Sequence, residues 1–215
     1  MTQKNDPESR QKYEKIANDS IQVINNLLKD LPEDLTVTTH ICRGNFKSTY
    51  LFSGSYDVIA KYLAQLNYDG LFLEYDNDRS GGFQPLKQIW KQDSNKRIIL
   101  GIVTSKLPAL EEQTKLIDCI QEASEYVPLE NLGISTQCGF ASTEEGNLLT
   151  EDEQWEKLKL VISTAKKSLE GVKMVATTKI RQDYLEKLAQ LIKIPSVSAK
   201  KTGLKEASEL IGSFF

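Results

Sequence analysis

The chain has 215 residues, enough to bury a substantial core in one or two domains. Its net charge is -3 and its pI is near 5.4, with acidic and basic residues interspersed, which argues against nucleic acid as the main partner. No apolar run reaches the length of a membrane span, and the opening MTQKNDPESRQK has no apolar signal core, so a soluble cytoplasmic protein with no membrane partner is expected. Three cysteines, Cys42, Cys119 and Cys138, are an odd number at wide spacing. That is no disulfide framework, and it leaves metal ligation or plain burial.

In chain order, residues 7–30 read as a helix, with Pro7 in the first turn and Ile16, Ile21, Val23, Ile24, Leu27 and Leu28 as its apolar face. Pro32 closes it, and Leu35–Cys42 is the first strand. A short helix over Tyr56–Leu66 leads to a second strand, Gly70–Asp76. Residues 83–92 read as helical, and a polar run leads into a third strand, Arg97–Thr104. Ala109–Tyr126 reads as a helix preceded by Pro108. The fourth strand is Asn131–Gln137. Thr150–Glu170 is a helix opened by a Thr150–Glu153 capping box, with Trp155, Leu158, Val161, Ile162, Ala165 and Leu169 as its stripe.

Strands alternating with helices predict an α/β fold with a parallel sheet and right-handed crossovers. The strands are near-continuous apolar runs, as when both faces of a sheet are covered. Neither GxGxxG after the first strand nor GxxxxGK[ST] occurs, so no phosphate-cradling loop supports a nucleotide fold.

The residues capable of chemistry gather where strands end. TVTTHICRGNF, residues 36–46, holds His40, the only histidine, two positions before Cys42. Residues i and i+2 of a strand point to one side, so the two side chains aim at one point. Glu74 ends the apolar run LFLE, where a carboxylate is costly unless paired or coordinating. Thr104 to Lys106 follow the third strand, and Cys138 follows the fourth. Imidazole, two thiolates and a carboxylate make a set acceptable to Zn2+. Each residue alone admits a plainer reading: His40 in a core, Cys138 as a small buried hydrophobe, Glu74 paired with Arg43 or Arg79. Their joint position at strand ends favours a metal site. Cys119, inside KLIDCIQEA, reads as plain core.

These residues also carry a family likeness. From about Asn5 to Gly171 the chain resembles the C-terminal catalytic barrel of cobalamin-independent methionine synthases, and more closely their short bacterial paralogues. The likeness rests on Thr38-Thr39-His40-Ile41-Cys42 with Asn45-Phe46, on Phe72-Leu73-Glu74-Tyr75-Asp76 with Asp78-Arg79-Ser80, and on Gln137-Cys138-Gly139-Phe140. The run Ala141 to Asn147 is typical of the paralogues. The resemblance implies a catalytic zinc on His40, Cys42, Glu74 and Cys138, and transfer of a methyl group from 5-methyltetrahydrofolate to the thiol of homocysteine. It further implies that residues 1–172 form the last four strands of a TIM (β/α)8 barrel. Half a barrel exposes two sheet edges, so self-association or a partner chain is expected to cover them. The alternative to a working enzyme is a zinc-binding fragment or subunit that needs a separate N-terminal half-barrel.

Residues 173–215 read as a helical tail foreign to that family, with a helix over Ile180–Ile194. Its phrase YLEKLAQLIKIPSVSA resembles the opening segment of zinc dipeptidases, without any of their metal ligands.

Overall fold

The structure is a computed structural model and describes residues 7–46, 48–90, 95–141 and 145–168, together with 205, 206 and 209. Its elements run α1 (Pro7–Leu27), β1 (Thr38–Ile41), α2 (Asp57–Leu63), β2 (Gly70–Glu74), α3 (Leu86–Ile89), β3 (Arg97–Val103), α4 (Gln113–Ser124), β4 (Leu132–Thr136) and α5 (Glu151–Ser168). The four strands form one parallel sheet in the order β1-β2-β3-β4. Each strand pairs with the next in sequence, as successive βα units with one crossover hand require. Two compact units divide the chain, Met1–Glu170 and Gly171–Phe215. In the second, Lys205, Glu206 and Glu209 are helical, and Lys205 pairs with Glu209 at 3.7 Å. The predicted helix Ile180–Ile194 and the dipeptidase-like phrase lie outside the described residues.

The strand registers explain the two faces of the sheet. Ile41, Leu73, Leu100 and Ile134 lie on one face, and Leu71, Ile98 and Leu132 beside them. Leu71, Leu73, Ile98 and Leu100 are all fully buried, with Ala60 and Leu63 of α2, Leu86 and Ile89 of α3, and Leu116, Ile120 and Ala123 of α4 in the same core. The opposite face carries Thr38, His40, Phe72, Ile99 and Ser135, none of them buried. The sheet is therefore covered on one side only among the described residues. The apolar strands do not mean two covered faces, because Phe72 and Ile99 look onto an open groove of about 360 Å³ and its neighbour.

Several boundaries differ from the sequence reading. β1 is shorter than Leu35–Cys42, because β2 begins at Gly70, opposite Thr38, and gives Leu35 and Thr36 no ladder partner. The helix read over 83–92 is one turn in the described residues, packed by Leu86 and Ile89. α4 starts at Gln113 rather than Ala109. The preceding segment is held by side chains instead: Glu111 accepts the Thr104 N–H at 2.8 Å and Lys157 Nζ at 3.0 Å.

The buried faces of two helices also differ. On α1 only Ile21 is buried, while Ile16, Val23 and Leu27 are exposed, because nothing in the first unit's described residues covers that side. On α5, Trp155 and Ile162 are exposed and the buried residues are Lys157 and Thr164. Both are polar residues with partners near the start of α4: Glu111 for Lys157 and Gln113 for Thr164. The Thr150–Glu153 capping box forms as read, with Thr150 N–H on Glu153 Oε2 at 2.8 Å and Glu153 N–H on Thr150 Oγ1 at 3.3 Å.

Candidate metal centre

The structure gathers His40, Cys42, Glu74 and Cys138 at the C-terminal rim of the sheet. One donor atom from each lies within 4.8 Å of the others. The register explains the meeting. His40 stands opposite Phe72, Glu74 opposite Gly101 and Gly101 opposite Ser135, all on the open face. Cys42 follows β1 by one residue and Cys138 follows β4 by two. Gly101 keeps the middle of the rim clear: a Cβ there would lie 3.0 Å from Leu73 O and Gln137 Cα.

The loops are tied together. Gly44, at φ +93°, turns the chain after Arg43, so that Leu51 and Phe52 N–H both donate to Arg43 O at 3.1 and 2.9 Å. A side chain at Gly44 would collide with Leu51 N at 2.6 Å. Asn45 Nδ2 donates to Gly139 O at 2.8 Å, joining the His-x-Cys loop to the Cys138 loop. Gly44 N–H donates to Cys42 Sγ at 3.4 Å.

Glu74 is fixed on all sides and has no exposed side-chain surface. Its Oε1 accepts the Arg43 N–H at 3.0 Å and lies 3.3 Å from His40 Nε2. Its Oε2 pairs with Arg79 at 3.2 Å, and Arg79 also pairs with Asp76 at 3.2 Å. Tyr56 OH accepts the Glu74 N–H at 2.8 Å, and Ser80 Oγ donates to Glu74 O at 2.8 Å. Burial pushes this carboxyl up, but His40, the Arg43 N–H, the nearby Gln137 amide and Lys106 outweigh it, so its pKa falls below the usual carboxylate range. Gln137 acts there by proximity; its Nε2 is not in hydrogen-bonding geometry with any described residue.

Of the plainer readings, the Glu74–Arg79 ion pair is present. Arg43 does not pair through its guanidinium, which donates to Ser80 Oγ at 2.7 Å and sits over the Tyr56 ring. His40 is not a core histidine, since its side chain is 34% exposed. Cys138 is half-buried and Cys42 exposed. Cys119 lies outside the cluster, partly buried against the core, where burial raises its thiol pKa. Asn45 and Ser80 stand in the family-like motifs with no role that the sequence assigns, and Tyr56 only opens a predicted helix; their roles come from loop contacts.

The cluster behaves as an acid–base unit. Hydrogen bonding to Cys138, then to Glu74, raises the His40 pKa to about 10, and His40 in turn lowers that of Cys138. At neutral pH the metal-free His40 is thus an imidazolium, and it favours the ionised form of the Cys138 thiol beside it. A metal can take the imidazole nitrogen only after this proton leaves. Below pH 10, metal affinity is therefore expected to rise at least about tenfold per pH unit, from pH 6 to 8, as read by competition with a chromophoric chelator. An affinity independent of pH contradicts this account of His40.

An open parallel sheet with two sulfurs, a nitrogen and a carboxylate at its C-terminal rim defines a half-barrel with a candidate metal centre. The catalytic-domain family described as "Cobalamin-independent synthase, Catalytic domain" matches residues 4–167, and the chain belongs to that family. Similar curated relatives include the uncharacterized proteins YxjH and YxjG of Bacillus subtilis, 53% identical over 145 residues and 54% over 143. Each match covers about two thirds of this chain, but only 38% and 37% of the relative. A methionine synthase of Pyrococcus horikoshii is 26% identical over 121 residues, 56% of this chain and 31% of that protein. Among solved structures, the putative vitamin-B12-independent methionine synthase of Listeria monocytogenes is 34% identical with a TM-score of 0.56, covering 78% of this chain and 43% of that one. The B12-independent methionine synthase of a Shewanella species shares the fold at 20% identity and a TM-score of 0.59, over 73% of this chain and 45% of that one. The chain spans less than half the length of these relatives, and its four strands are half of a TIM barrel. Among the described residues no helix is long and apolar enough to cross a membrane.

Proposed function

We propose that residues 1–172 are the metal-binding half of a zinc-dependent cytoplasmic methyltransferase. It moves the methyl group of 5-methyltetrahydrofolate, as its polyglutamate, to the thiol of homocysteine and so forms methionine. The observation that carries this reading is the meeting of His40, Cys42, Glu74 and Cys138 within 4.8 Å, in a chain of the cobalamin-independent synthase family. The donor set fits Zn2+, which accepts nitrogen, thiolate sulfur and carboxylate oxygen in four-coordinate sites. The low pKa of Cys138 already favours the thiolate that a metal takes.

A thiol of ordinary pKa, near 8.5, is mostly protonated at neutral pH, and the thiolate is the nucleophile. Zinc, when bound, lowers the pKa of a coordinating thiol, which is the chemistry the acceptor needs. The protein's residues do the positioning. Arg79 and the Arg43 N–H fix the Glu74 carboxylate, and Tyr56 and Ser80 fix its backbone. Asn45 holds the two cysteine loops at one spacing.

A second reading is favoured by the open face. His40, Phe72 and Ser135 look onto an uncovered groove, and α1 exposes Ile16, Val23 and Leu27. On this reading the chain binds zinc but needs a covering half-barrel, from a partner chain or a second copy, for turnover. Methionine formation from homocysteine and 5-methyltetrahydrofolate, with zinc added, separates the two. Zinc-dependent methionine from the chain alone supports the first. Bound zinc without methionine, restored by a co-expressed N-terminal half-barrel, supports the second. No methionine in either arrangement contradicts both.

A further inference from the structure

Past the end of β4 the chain leaves the sheet, and side chains hold the segment that carries Cys138. The Gln137 N–H still donates to Val103 O at 2.7 Å. The next three carbonyls each accept from a side chain of different origin. Cys138 O accepts from Thr136 Oγ1 at 2.9 Å, Gly139 O from Asn45 Nδ2 at 2.8 Å, and Phe140 O from Asn147 Nδ2. Packing adds little there, since a Cβ on Gly139 would meet nothing within 4 Å among the described residues. A cysteine in such a segment keeps its position only as well as these bonds keep the backbone.

The Asn147 amide fills all four of its hydrogen-bonding positions. Nδ2 donates to Ser105 O at 2.7 Å as well as to Phe140 O, and Oδ1 accepts from Ser48 Oγ at 2.9 Å and from the Leu149 N–H at 3.2 Å. One half-buried side chain thus ties the Cys138 loop to the loop after β1, which carries Cys42, and to the segment after β3. Ser48 lies 99 positions away in sequence and stands at φ +63°, a conformation uncommon for a residue with a side chain. Its Oγ also accepts the Leu148 N–H at 3.4 Å. Such a backbone persists where the contacts around it over-determine it, and Asn147 with Leu148 supplies those contacts.

We propose that Asn147 is a positioning residue of the metal centre, whose amide sets the Cys138 loop against the Cys42 loop at the spacing a shared ion requires. It acts through the backbone of the two loops, by Phe140 O on one side and Ser48 on the other. Groups that orient metal ligands from outside in this way govern affinity nearly as much as the ligands do. The inference rests on the metal-binding part of the proposed function and is independent of the methyl donor and acceptor.

The test titrates cobalt(II), a spectroscopic stand-in for zinc, into the metal-free full chain and reads the thiolate-to-cobalt charge-transfer band. Urea unfolding of the same metal-free proteins reports the fold separately. Asn147→Asp keeps the shape but loses both donors, leaving Ser105 O and Phe140 O against an oxygen. It is expected to weaken cobalt binding at least about tenfold, as is Asn147→Ala. Ser48→Ala removes only the tie to the β1 loop and is expected to weaken it about threefold. A lowered urea midpoint with wild-type cobalt affinity in both Asn147 variants means that Asn147 only closes the turn before α5, and it overturns the proposal while leaving the metal site standing. If neither variant folds, unchanged cobalt affinity in Ser48→Ala overturns it. A wild type that shows no thiolate-to-cobalt band removes the metal site itself and this inference with it.

Discussion

Purified Cys138→Ser protein is expected to hold less than about a tenth of a zinc per chain, against about one in wild type. The reason lies in what Cys138 does within the cluster. It is the largest cause of the raised His40 pKa, and His40 is the largest cause of its lowered one. Serine keeps the size but loses the soft, easily ionised donor that a thiophilic ion selects. The change also leaves the fold nearly untouched, since Cys138 is only half-buried and its neighbour Gly139 still accepts from Asn45. Excess zinc is expected to raise the melting temperature of wild type, because a ligand bound only by the folded state stabilises it by mass action. The same excess is expected to do little for Cys138→Ser. Equal metal content in the two proteins contradicts the four-residue site.

Glu111→Ala is expected to lower stability by about 3 kcal/mol, more than any surface change, as read by urea unfolding. The Lys157 side chain is fully buried, with Nζ 3.1 and 3.0 Å from the two Glu111 oxygens. Removing Glu111 leaves a buried ammonium with only Ala109 O as acceptor. It also strips the acceptor from the Thr104 N–H, which anchors the segment carrying Lys106. Lys157→Met is expected to cost less, because Glu111 is 21% exposed and can be solvated. A loss below about 1 kcal/mol for Glu111→Ala would mean the pair behaves as a surface salt bridge.

The same pair shows why part of the structure was not legible in the sequence. Ala109 to Glu112 has the composition of a first helical turn after Pro108. The chain there is instead held by Lys157, 46 positions away, and by Thr104 at the end of β3. A tertiary ion pair has no periodicity, so a reading of local pattern extends the helix through it. α5 misleads in the same way. Its stripe through Trp155 and Ile162 marks an apolar face that is exposed, while the buried positions are Lys157 and Thr164.

What was legible follows from alternation. Near-continuous apolar runs such as Leu71-Phe72-Leu73, alternating in order with helices, were enough for a parallel sheet. His40, Cys42, Glu74 and Cys138 were legible because each stands where an apolar run stops, and parallel strands bring such stops to one rim. The supports were not. Asn45 reaches Gly139 across 94 positions and Tyr56 reaches Glu74 across 18, through loops whose course no pattern predicts. Arg79 was legible only as one of two possible partners for Glu74, and geometry chose it.

Zinc K-edge X-ray absorption on the zinc-loaded chain, with and without homocysteine, tests the central claim most directly. The expected result is a zinc bound by two sulfurs and two lighter atoms, with the sulfur count rising by one on adding homocysteine. A zinc surrounded by nitrogen and oxygen alone contradicts the His40–Cys42–Glu74–Cys138 site. A two-sulfur zinc that does not change with homocysteine contradicts the reading of that site as a thiol-activating centre.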